Sequence, residues 1–104
     1  MKSYIIIAGL NDKETKKQEI ETGAAREIIA GIILHYAEGA TLTDCSGIYT
    51  HCDGSGAVVY ENSIKAEISG ISKRDALKIA GEIKAALNQE SVYFAAYRAG
   101  VLFI

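Results

Sequence analysis

Along this chain the spacing of apolar residues switches between a period of two and a period of 3.6, and the order of those switches leaves few folds open. Tyr4 to Leu10 reads YIIIAGL, β-branched and apolar on both faces, which predicts a central strand. Asn11 to Thr22 is mostly charged and fits no period, so it reads as a solvated connection with at most one short helical turn. From Gly23 to Glu38 the period becomes helical, with Ala25, Ile29, Ile32, Ile33 and Tyr36 in a stripe and Ile28 on its flank. Thr22 is the expected N-cap and Gly39 the stop. Isoleucine is only a middling helix former, so packing must hold this helix.

Thr41 to Thr50 is a threonine-rich strand in which Gly47 signals a bulge or a close backbone approach. His51 to Gly56, HCDGSG, should close a hairpin. Ala57 to Ile68 then alternates, with Val58, Tyr60, Ile64, Ala66 and Ile68 on one face and Val59, Glu61, Ser63, Lys65 and Glu67 on the other. Asn62 falls oddly on the apolar face. Ser72 to Asp75 starts a second helix, residues 73–88, burying Ala76, Ile79, Ala80, Ile83 and Leu87. Val92 to Ala99 is the last strand, and the tail VLFI is apolar enough to be expected on the sheet or on a partner chain.

Strand, helix, strand, strand, helix, strand is the split βαβ order. It predicts one α+β domain over residues 1–104, a four-stranded antiparallel sheet with two helices on one face. Helices on one side leave the other face of an apolar first strand uncovered. A homo-oligomer, a dimer or a higher even-numbered form, is therefore expected. With 49% hydrophobic and 23% charged residues the chain is no disordered tail, and no apolar run is long enough for a membrane helix. Eleven basic against thirteen acidic residues give a net charge of −2, which argues against a broad cationic face for a nucleic-acid polymer. No signal-peptide pattern follows Lys2, and two cysteines make no disulfide framework, so a cytoplasmic location is expected.

No catalytic constellation stands out. Cys45, His51, Cys52 and Asp53 are the one cluster with metal-ligand chemistry, but no second pair completes a tetrahedron, so no metal is expected. His51 and Cys52 are neighbours whose side chains diverge on a strand, and His35 suits a helix end. Glu61 and Glu67 share a face about 20 Å apart, too far for paired-carboxylate chemistry. DGSGAVVYE leads into a strand, so it is neither a P-loop nor a dinucleotide fingerprint. What remains is a binding chemistry. Lys16, Lys17, Arg26 and Arg98 could meet phosphate oxygens, with internal salt bridges as the competing reading. Tyr49, Tyr60, Tyr93 and Tyr97 could stack on a base, with subunit packing as the alternative. Asn62 could read an adenine edge or satisfy irregular backbone.

The segments MKSYIIIAGLNDKETKKQEIETGAA, GATLTDCSGIYTH, VVYENSIKAEI and KAALNQESV together resemble small bacteriophage proteins, in particular the anti-defence sponges that oppose Thoeris immunity. That resemblance implies a non-enzymatic, phage-encoded homo-oligomer in the host cytoplasm. It would sequester a cyclic ADP-ribose isomer made by TIR-domain enzymes, without a cofactor, in pockets where subunits meet. The competing expectations are a protein-binding inhibitor module and a small cyclic-nucleotide hydrolase.

Overall fold

The structure is a computed structural model that describes residues 1–50 and 54–104. Its elements follow in the expected order: β1 (Lys2–Gly9), α1 (Thr22–Leu34), β2 (Thr41–Thr50), β3 (Val58–Ser69), α2 (Lys73–Ala86) and β4 (Tyr93–Arg98). The strands form one antiparallel sheet in the order β2-β3-β1-β4, and both helices lie on one face of it. The first strand is therefore central, as its two apolar faces require. Tyr4, Ile6 and Ala8 of β1 and Ile64, Ala66 and Ile68 of β3 are buried beneath Ala25, Ile29 and Ile33 of α1 and Ala76, Ile79 and Ile83 of α2. On the other face of β1, Ile5 and Ile7 are only half-buried.

Local chemistry moved several boundaries. Glu21, not Thr22, caps α1, because its longer carboxylate accepts from two free amides, Gly23 at 2.9 Å and Ala24 at 3.1 Å. Those two bonds hold the Glu21 carboxyl below its ordinary range. The Thr22 hydroxyl instead accepts from Gln18 Nε2 at 3.0 Å. The helix ends at Leu34 rather than 38, as His35 and Tyr36 close a tight turn onto the carbonyls of Ile32 and Ile33. Ser72 caps α2 as expected, accepting from the Asp75 amide at 3.1 Å. Gly47 makes a close approach rather than a bulge, since the β2–β3 register runs unbroken from Thr41↔Glu67 to Thr50↔Val58. His51, Cys52 and Asp53 of the expected turn lie outside the described residues.

Among the described residues, apolar side chains are exposed at the hairpin end and along the tail. The far end of the β2–β3 hairpin extends past the helices, leaving Ile48, Val58 and Tyr60 exposed. The tail forms no strand on the sheet: Leu102, Phe103 and Ile104 are 80%, 77% and 114% exposed.

Candidate functional site

Pleating sends the odd-numbered residues of β3 to the face without helices, a run of hydroxyls and charges: Glu61, Ser63, Lys65, Glu67, Ser69. Most have partners on the same face. Lys65 Nζ lies 3.3 Å from Glu67 Oε1, and the hydroxyls of Ser3 and Ser69 are 2.7 Å apart. Glu61 is placed differently. Its cross-strand neighbour on β2 is Gly47, and its carboxylate lies over Gly9 of β1, where a Cβ would stand 2.4 Å from Oε1. The Asn11 amide donates to its Oε2 at 3.1 Å. Half-buried and flanked by glycines on both neighbouring strands, the carboxylate rests in a trough of bare backbone.

The connection after β1 builds the wall of this trough. Asp12 Oδ1 accepts from the amides of Glu14 and Thr15, making a tight turn, and Lys16 takes a left-handed conformation at φ 65°. The turn is fastened to the end of α2. Gln89 Nε2 donates to the Asn11 carbonyl at 2.8 Å, Asn88 Nδ2 donates to Asp12 Oδ2 at 3.0 Å, and the Lys13 amide donates to the Asn88 carbonyl at 3.0 Å. The Asn88 side chain, then the two turn amides, hold the Asp12 carboxyl below its ordinary value. Glu61, Tyr49, Lys16, Asn11, Gln89 and Glu90 line the resulting cleft of about 260 Å³.

Two larger cavities carry less chemistry. One of about 790 Å³ lies at the opposite end of the sheet, with Tyr97 and Phe103 in its wall, but its β3 carboxylate, Glu67, is already paired with Lys65. One of about 420 Å³ lies at the start of α1, where the Arg26 fork is closed on Asp44 at 2.5 and 3.2 Å and the Glu21 carboxylate occupies the helix amides. Size and chemistry point to different places, and the smallest of these three holds carboxylates, amines and a phenol together.

The nine residues expected to bind a ligand do not meet in one place. Lys16 and Tyr49 share the Glu61 cleft. Arg26 and Asn62 line the cavity at the start of α1 instead, and Arg26 is paired with Asp44. Asn62 sits on the helix-side face beyond the helices, where its Nδ2 donates to Gln18 Oε1 at 2.7 Å, which explains a polar residue at that position. Tyr60 is exposed on the same projecting hairpin, and Lys17 is exposed in the connection. Tyr93 is exposed at the start of β4. Tyr97 and Arg98 lie at the other end of the sheet, opposite Ser3 and Lys2. Of the cluster with metal-ligand chemistry, only Cys45 falls among the described residues, as a half-buried free thiol on β2. Glu61 was the residue missed. It had been weighed only as a partner for Glu67, whereas its signal is a glycine on each neighbouring strand, visible only once register is known.

No family model and no curated protein matches this chain. Among solved structures, it is similar to a phage SAM lyase in complex with S-methyl-5′-thioadenosine, at 28% identity and TM-score 0.67, over 96% of this chain and 82% of that one. A phage SAM lyase in the apo state is similar at 24% identity and TM-score 0.66, over 92% and 78% of the two chains. The divalent ion tolerance protein CutA1 from Ehrlichia chaffeensis shares the fold alone, at 9% identity and TM-score 0.56 over 97% and 84%. These likenesses overturn the sponge resemblance, the non-enzymatic reading and the cyclic ADP-ribose ligand, because the better-matched structures are of an enzyme. No helix among the described residues is long and apolar enough to cross a membrane.

Proposed function

We propose that this chain is an enzyme that cleaves S-adenosylmethionine and releases S-methyl-5′-thioadenosine. The observation that carries this reading is the likeness, along nearly the whole chain, to a SAM lyase holding that thioether. It is nearest to the enzymatic alternative weighed above, with a lyase in place of a hydrolase. The Glu61 cleft suits such a substrate chemically. S-adenosylmethionine carries a sulfonium and an ammonium, for which Glu61 and Glu90 offer negative charge, and a carboxylate, for which Lys16 offers a positive one. Tyr49 supplies an aromatic ring for adenine. When the carbon–sulfur bond breaks, its electron pair returns to sulfur and neutralises the sulfonium. In the same step an oxygen of the substrate's own carboxylate bonds to the carbon that sulfur leaves, closing the four-carbon fragment into a lactone, and no water is consumed. In this reading Glu61 holds the cationic end of the substrate, and the enzyme works in the cytoplasm beside it. A second copy of the chain lies over the half-buried Ile5 and Ile7 and encloses the cleft, which would strengthen each charged contact.

The test is incubation with S-adenosylmethionine in ¹⁸O-labelled water, followed by mass spectrometry. The expected result is S-methyl-5′-thioadenosine with an unlabelled four-carbon product, and a loss of about tenfold or more in kcat/KM for Glu61→Gln. Intact substrate after prolonged incubation would overturn the reading, and ¹⁸O in the hydroxyl group of the four-carbon product, as opposed to its carboxylate, would convert it to hydrolysis.

A further inference from the structure

In a strand, glycine gives up packing and pays extra conformational entropy, so one in the central strand of a sheet calls for a reason. Gly9 is the last residue of β1, and its backbone lies outside the left-handed region where only glycine is comfortable. Conformation therefore does not require it. Space does: a Cβ at Gly9 would lie 2.4 Å from Oε1, 2.5 Å from Cδ and 2.6 Å from Oε2 of Glu61. All three nearest atoms belong to one carboxylate, the far end of a flexible side chain, with no backbone among them.

We propose that Gly9 is a positioning residue for Glu61: its bare backbone lets the carboxylate lie flat across β1, within reach of the Asn11 amide and facing the cleft. This rests on the lyase reading for what the carboxylate does, but not for where it lies. Alanine at position 9 leaves the sheet intact, because the atom it meets can swing away, and it gains strand preference over glycine. What it displaces is the carboxylate. Gly47 on the other side is less critical, since a Cβ there would stand 3.2 Å from Ser63 Oγ and 3.5 Å from Glu61 Cγ.

Two measurements separate this role from a structural one. In the otherwise wild-type chain, the Asn11 amide resonance in an NMR spectrum should shift when Glu61 is replaced by glutamine, through their 3.1 Å hydrogen bond. In Gly9→Ala that coupling should vanish while the melting temperature holds or rises. The second measurement is a double-mutant cycle on S-adenosylmethionine cleavage. Gly9→Ala should lower kcat/KM about tenfold or more, toward Glu61→Gln, and should add no further loss in the Glu61→Gln background. An equal Gly9→Ala penalty in both backgrounds, or an unchanged Asn11 coupling, would overturn the positioning role. A wild type that shows the coupling but never cleaves the substrate would overturn the lyase reading instead.

Discussion

Replacing Ile29 by alanine sets helix propensity against packing in a single side chain. Ile29 is 1% exposed in the middle of α1 and belongs to the core cluster with Ile6, Ile33 and Ile64. Alanine is the better helix former by roughly 0.4 kcal/mol, so if local preference held this helix the variant would be more stable. Packing predicts the opposite: truncating a buried isoleucine to alanine costs about 2–5 kcal/mol, because the cavity left behind collapses only in part. The net loss is then about 2–4 kcal/mol. For 104 residues the unfolding entropy is roughly 0.22 kcal/mol/K, from about 2.1 cal/mol/K per residue. The loss therefore lowers the melting temperature by about 10–20 °C. Leu34, on the same helix but 62% exposed, is the control, and its alanine variant should move by no more than a few degrees. Thermal unfolding followed by circular dichroism decides the matter. Equal shifts for the two variants, or a rise for Ile29→Ala, would refute the claim that packing holds α1.

The turn at Asp12 should weaken in acid. Its folded pKa lies below the ordinary 3.8, so its contribution is complete above that value and disappears as pH falls through the lower folded pKa. Amide exchange at Glu14 and Thr15 should accelerate there, and Asn88→Ala should move the Asp12 carboxyl resonance back toward its ordinary titration; an unmoved titration would remove Asn88 as the cause. The apolar tail should be covered in an assembled species. Light scattering of the full chain at micromolar concentration should give a multiple of one chain's mass, and removing Leu102–Ile104 should shift it toward one. A single-chain mass for the intact protein would refute the oligomer.

The fold was legible because each element announced itself locally. Alternation in β3, the isoleucine stripe of α1 and the Ser72 cap of α2 are short-range patterns that needed no knowledge of neighbours. The site was not legible for the complementary reason. Glu61 acquires its setting from Gly47, fourteen positions earlier, and Gly9, fifty-two earlier, and only strand register brings the three together. Arg26 looked like a phosphate ligand because Asp44 was eighteen residues away in sequence, though it lies within hydrogen-bonding distance in space. The Thr22 cap failed on a smaller scale, since the neighbouring Glu21 reaches the same amides with a carboxylate.

The strand order has a consequence for how the chain is made. β1 leaves the ribosome before the other strands of its sheet and occupies the middle of that sheet, between β3 and β4. Its partners arrive late: Ile6 pairs with Ala66 on one side and with Phe94 on the other. During synthesis YIIIAG must therefore wait, apolar and unpaired, for about sixty further residues on its β3 edge and almost ninety on its β4 edge. The hairpin of β2 and β3 and the two helices can form from nearby residues in the meantime. A highly charged segment, Asp12 to Glu21, directly follows the waiting strand and is well placed to keep it from pairing with another nascent copy.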